Sequence, residues 1–195
     1  MPAIEGAQPA AEHPAPAPEA LAVTLGQALA SGLPVTVVAT SSQAAQVAAS
    51  IARRDVVLVP DDDSLSPARM IARAVGERSD SAGWILLPGA HSGLKPATLR
   101  SVAEALRLHP VAYAEYAGHR GYPLGFAAGL YSDLVSGAPE DGPRRLIARY
   151  PAAAVEVDDP AVALPRELVA TPVPVGAALG RTGQAALTDP PAPLA

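Results

Sequence analysis

The chain has 195 residues and a mass of 19.7 kDa, the size of one ordinary domain, long enough to bury a substantial core. Its formal net charge is −5, and no basic stripe able to displace counterions from a duplex is visible, which excludes a nucleic-acid partner. No apolar run approaches the ~18–20 residues of a membrane span, a signal-peptide layout is missing and cysteine is absent, so membrane spans, disulfide scaffolds and thiol chemistry are excluded and the expected compartment is the cytoplasm.

Residues 1–18 and 181–195 are Pro/Ala-rich without apolar periodicity and read as tails around a domain over 19–180. Within it, Glu19–Ser31 places Leu21, Leu25 and Leu29 on one helical stripe, with Gly32 as a stop. Pro34–Ala39 is a β-branched run, and Ser41 and Ser42 can cap a helix over 43–53. Asp55–Val59 reads as a strand, and Ser66 followed by Pro67 as the start of a helix over 67–77. Trp84–Leu87 is a third strand, Pro96 opens a helix carrying Leu99, Val102 and Leu106, and Val111–Tyr116 is a fourth strand leading into a turn at Gly118–Gly121. Gly129–Val135 and Pro143–Tyr150 read as helices and Ala153–Val157 as a last strand. This alternation predicts an α/β fold: a mostly parallel, Rossmann-like sheet with helices on both faces. Aromatics make up only 4%, so the core is expected to be aliphatic, with Trp84 and Phe126 as its large anchors.

Ligands of such sheets bind beyond the carboxyl ends of the strands, which directs attention to four loops. Asp61, Asp62 and Asp63 could ligate magnesium, but read first as a solvated loop favouring the next helix N-terminus. Ala90-His91-Ser92-Gly93 stands where a hydrolase nucleophile elbow would sit, yet Ala90 and Leu94 occupy the places of its two glycines. Gly118-His119-Arg120-Gly121-Tyr122-Pro123 sets backbone amides and a guanidinium beside one another, as an anion contact or as a tight turn with Arg120 in a structural salt bridge. Glu140-Asp141-Gly142-Pro143-Arg144-Arg145 reads as a helix start capped by Asp141, with Arg144 and Arg145 solvated or contacting an anion. Arg53, Arg54, Arg69 and Arg73 read as exposed helix residues; His13 lies in the tail and His109 at a helix end.

Taken in order, these strings resemble the MobA-like NTP transferases, specifically the molybdenum-cofactor cytidylyl- and guanylyltransferases, over roughly residues 19–172. Residues 83–150 carry the likeness. The loop into Pro96-Ala97-Thr98-Leu99 resembles the family's LLGDMPLVTPATL segment, Gly118–Pro123 its GRRGHP turn, and Glu140–Arg144 its sGDxGaR helix start. The resemblance implies a Rossmann-like NTP-transferase fold that moves a nucleotide from magnesium-bound CTP or GTP to molybdopterin and releases pyrophosphate. It also implies that Gly118, His119, Arg120, Gly121, Asp141 and Arg144 lie in the half facing molybdopterin.

Three departures fall in the family's catalytic machinery. Its N-terminal LAAGxSxRMGxxK strand and loop are absent, and residues 1–52 contain no Lys or Arg at all. Ala90 aligns with the Asp of LLGDMP, and Ala170 with the second Asp of the magnesium-binding DIDTP string. Alanine cannot ligate magnesium, so the expected protein is a member without catalytic or metal residues, serving as a module for molybdopterin, a molybdoenzyme or its maturation factor. The alternative is an active transferase recruiting magnesium through Asp61–Asp63 or Asp158–Asp159; a purely structural protein is a third reading. In the family the first strand lies between those resembling 34–39 and 84–87; with it missing, these two are expected to close on each other, the alternative being a strand supplied by another chain.

Overall fold

The computed structural model describes residues 18–61, 66–136, 142–163 and 174–178. The Asp62 and Asp63 carboxylates, Asp141, Ala170 and, apart from Pro18, the two expected tails lie outside these residues.

Helix α1 spans Pro18–Ala30 and buries Leu21, Leu25 and Ala28, while Leu29, expected on that stripe, is exposed. Strand β1, Val35–Ala39, is buried throughout, as its β-branched run requires. Helix α2 covers only Ser41–Val47, shorter than expected, and its cap is Thr40 in a reciprocal capping box with Gln43 rather than a serine. A 3-10 turn at Arg53–Asp55 precedes β2, Val56–Leu58, and Ser66 caps α3, Pro67–Gly76. Strand β3, Gly83–Pro88, is fully buried and is followed by α4, Pro96–Ala105. Then come β4 (Val111–Tyr116), β5 (His119–Ala127), α5 (Tyr131–Val135), α6 (Gly142–Arg149), β6 (Ala152–Glu156), a 3-10 turn at Pro160–Ala163 and β7 (Pro174–Ala178). Among the described residues, no helix is long and apolar enough to cross a membrane.

All seven strands form one sheet in the order β2-β1-β7-β3-β5-β4-β6. The pairs β1–β2 and β4–β6 are parallel, whereas β5 and β7 are each antiparallel to both neighbours. Five strands therefore point one way and two the other. The expected closure of β1 on β3 does not occur. Strand β7 lies between them, with Val37 opposite Val175 on one side and Leu87 opposite Val175 on the other. Its pairing satisfies inward backbone groups that would each cost about 1–3 kcal/mol if buried alone. Strand β5 is the other element the sequence pattern does not predict, since Gly118–Gly121 reads there only as a turn.

The alternation along β3 divides the core. Ile85 and Leu87 face α1 and α4 together with Val102 and Leu106, while Trp84 and Leu86 join Ile71, Val75, Leu134 and Leu146 of α3, α5 and α6. Both expected anchors are there: Trp84 and Phe126 sit directly opposite across β3 and β5, both buried, and the Trp84 ring lies 5.9 Å from that of Tyr131.

Because the chain lacks cysteine, the placing of β7 can be tested by cross-linking. Val35 and Ala177 are paired Cα partners, and antiparallel partners lie about 4.5–5.5 Å apart, within disulfide range. The Val35→Cys/Ala177→Cys variant is expected to oxidise to an intrachain disulfide, seen by mass spectrometry, and to gain about 4–5 kcal/mol against urea from loop closure. Val35→Cys/Ala178→Cys, one residue out of register, should cross-link poorly.

Candidate ligand site at the loop ends of the strands

The carboxyl ends of β1, β3 and β6 come out at one side of the sheet, and three local structures are built there. The first is the β4–β5 hairpin. Ala117 (φ 49) and Gly118 (φ 76) occupy its two-residue turn, both in the left-handed region that type I′ hairpins demand, with Tyr116 paired to His119. Of the expected anion-binding turn, only Gly118 is a turn residue; His119, Arg120 and Gly121 are the first residues of β5. His119 is exposed, its Nδ1 lying 3.0 Å from the Ala117 carbonyl oxygen.

Among the described residues Arg120 makes no salt bridge. Its guanidinium lies 4.2 Å from the Tyr113 ring centroid and Nη2 donates to the Tyr113 hydroxyl at 3.1 Å, so a cation–π contact fixes it in place. Its other N–H groups have no partner among the described residues, and the side chain is exposed. Tyr113 belongs to the cluster that includes Leu146 of α6, so Arg120 and α6, which carries Arg144, share one face of the sheet.

Gly121 serves packing. A Cβ there would stand 1.7 Å from the Val162 carbonyl oxygen, because the 160–163 turn crosses directly over it on the opposite face. That turn is pinned by Asp159, only 1% exposed. Its Oδ2 accepts from the Lys95 backbone N–H at 2.7 Å and from Thr98 Oγ1 at 2.6 Å, and its Oδ1 accepts from the Ala161 N–H at 3.2 Å. The carboxylate thus caps the N-terminus of α4 from outside the helix, where its negative charge is favoured. Lys95 Nζ completes the closure by donating to the Asp158 carbonyl and pairing with its carboxylate at 3.5 Å. Nothing in the sequence pattern singled out Asp159 for this structural role.

The third feature is His91, in the loop after β3. Its ring is buried, 5.7 Å edge-on from Tyr122, and Nε2 has no hydrogen-bond partner among the described residues. Burial pushes its pKa below the ordinary value, and the Ala161 backbone and the Asp159 charge offset this only in part. A side chain packed in this way is no hydrolase base for its neighbour Ser92.

A family-type magnesium centre does not fit these residues. Ala90 offers a methyl group, Asp159 spends both oxygens on hydrogen bonds, and Asp158 is exposed and paired to Lys95. Among the described residues no group of three or more His, Cys, Asp or Glu is arranged to hold a metal ion.

Two outcomes follow from this geometry. Gly121→Ala should cost about 1–3 kcal/mol in urea unfolding through forced displacement of the Val162 backbone, whereas Gly129→Ala, with nothing within 4 Å of the added Cβ, should be near neutral. For His91, the folded state takes up a proton less readily than the unfolded chain. Its contribution to stability is therefore complete above pH ~6.5 and is lost as pH falls from there toward the folded pKa. Relative to His91→Gln, the native protein should lose stability by up to about 1.4 kcal/mol per pH unit in that window, read from denaturation midpoints.

Comparison with known proteins accords with this architecture. No curated protein matches the chain. Among solved structures, Rv0371c from Mycobacterium tuberculosis H37Rv superposes with a TM-score of 0.56 at 23% identity, covering 68% of this chain and 73% of that one. A structure of Rv0371c in complex with manganese matches with a TM-score of 0.56 at 22% identity, covering 68% and 75%. The homolog from Mycobacterium sp. strain JC1 gives 0.56 at 24%, covering 69% and 72%. These likenesses establish the fold. The MobA-like NTP transferase domain, as a sequence family, matches residues 18–155, most of the chain, and the protein belongs to that family.

Proposed function

We propose that this protein is a MobA-like NTP transferase that has given up metal-dependent nucleotidyl transfer and binds a phosphate-bearing cofactor, molybdopterin, beside the β4–β5 hairpin. In that role it would carry the cofactor or present it to a molybdoenzyme or its maturation factor. The observation that carries this reading is the direction of β7. In the pattern implied by the family, the central strand runs toward the carboxyl ends of its neighbours and opens there into a basic, glycine-rich phosphate loop. Strand β7 runs the other way, beginning at that end with Pro174 opposite Pro88. The slot is thus filled by a strand that begins, rather than ends, at the carboxyl ends of its neighbours.

Ala90, in the turn that follows β3, adds to the argument. Nucleotidyl transfer depends on positioning and on cations that neutralise developing charge, and the residues that would gather those cations have no counterpart among those described. Rv0371c has been crystallised with manganese; the present chain, in our reading, has lost the corresponding capacity. What is retained is suited to anion binding. Arg120 is oriented by Tyr113 and has further donors without a partner among the described residues, and a phosphate group can accept two such donors at once.

A pyrophosphate-release assay with Mg-CTP or Mg-GTP plus molybdopterin should give no turnover above background. Molybdopterin should nonetheless bind saturably in calorimetry, and Arg120→Ala should weaken it about tenfold. Turnover at ordinary enzymatic rates, about 1 per second or faster, would refute the loss of catalysis. Binding unaffected by Arg120→Ala would remove the hairpin from the site.

A further inference from the structure

The amino ends of β1 and β2, at the other end of the sheet from these loops, hold a separate concentration of charge. Arg53 and Arg54 ahead of β2, Arg73 on the last turn of α3 and Arg78 just beyond that helix line a cleft of about 240 Å³, together with Glu77 and the edge strand Val56–Leu58. Four of the 14 basic residues of a chain with net charge −5 converge on this one depression.

Asp55 and Glu77 oppose them locally. Asp55 pairs with Arg78 at 2.7 Å and with Arg54 at 3.7 Å. Arg78 is set in place by three acceptors: its Nε donates to Thr36 Oγ1 at 3.0 Å, and Nη2 to Asp55 Oδ1 and to the Arg54 carbonyl at 3.2 Å. Nη1 has no partner among the described residues, and Arg53 and Arg73 are exposed and likewise unpartnered there. Charges beside an edge strand also discourage aggregation. That role, however, is served by mobile charges and does not require a guanidinium fixed by three acceptors.

Size and chemistry narrow the ligand. The volume falls below the roughly 300–1,000 Å³ of sites that enclose drug-sized molecules, so a nucleotide buried with its base does not fit. Guanidinium groups converging from two elements suit a compact ion whose oxygens point in several directions. We propose that this cleft binds a small polyanion of the phosphate class, such as pyrophosphate or a compact phosphate ester, independently of the hairpin site.

The test is calorimetric titration of the full chain with pyrophosphate in the presence of EDTA, with citrate as a polycarboxylate comparison. Saturable binding to one site is expected, stronger for pyrophosphate than for citrate. The exposed double variant Arg53→Ala/Arg73→Ala should weaken it about tenfold or more, with the fold intact by circular dichroism, while Arg120→Ala leaves it unchanged. Absence of saturable heat at millimolar pyrophosphate, undiminished binding in the double variant, equal affinity for citrate, or loss of binding in Arg120→Ala would each overturn the proposal.

Discussion

Backbone hydrogen bonding in the middle of the sheet governs the rest of this molecule. Strands β1 and β3 are buried along their whole length and run side by side in the same direction with a gap between them. Their inward N–H and C=O groups are out of reach of water, so a strand must lie there or the fold forfeits several kcal/mol. Strand β7 meets the requirement from the far end of the chain, pairing with both neighbours and joining the two halves into one seven-stranded sheet.

Meeting that requirement with a reversed strand has a functional consequence. A strand's direction decides at which end its following loop emerges, and ligand loops of α/β sheets cluster at the carboxyl ends. Reversing the central strand conserves sheet and core while placing that strand's start, rather than its end, beside the carboxyl ends of its neighbours. The remaining construction at that end is largely internal. Asp159 caps α4 and the 160–163 turn seals Gly121, while His91 is buried against Tyr122. Arg120, lying over Tyr113, stays open to solvent there. The four-arginine cleft lies at the opposite end of the sheet, so an anion bound there would not compete for the same space.

Much of this architecture was legible from local pattern. Strand β1 is a β-branched run and β3 and β4 are largely apolar or aromatic runs, and α3 and α4 begin with a proline after a suitable boundary. Strand β5 was hidden because His119–Ala127 contains Gly121, Pro123 and Gly125, all ordinary signs of a turn. Its glycines answer instead to close packing, against Val162 and against Leu106 and Val102. The hairpin turn was also masked, since Ala117 occupies a left-handed position normally taken by Asn, Asp or Gly. Strand β7, Pro-Val-Gly-Ala-Ala, has almost no β preference of its own; the vacancy between two strong strands makes it a strand, and no local window contains that information. The site was legible in part for the same reason. Arg120 stands out beside two glycines, but its Tyr113 platform, the Asp159 cap and the convergence of Arg53, Arg54, Arg73 and Arg78 arise only from tertiary packing.

The orientation of β7 can be read most directly from proton–proton distances in an isotopically labelled sample. Antiparallel neighbours bring alternate Hα atoms close together, whereas parallel neighbours do not. The account predicts strong Hα–Hα cross-peaks connecting residues 174–178 both to β1 and to β3, with amides in that segment slow to exchange. Rapidly exchanging amides in 174–178, together with direct contacts between the β1 and β3 backbones, would contradict it.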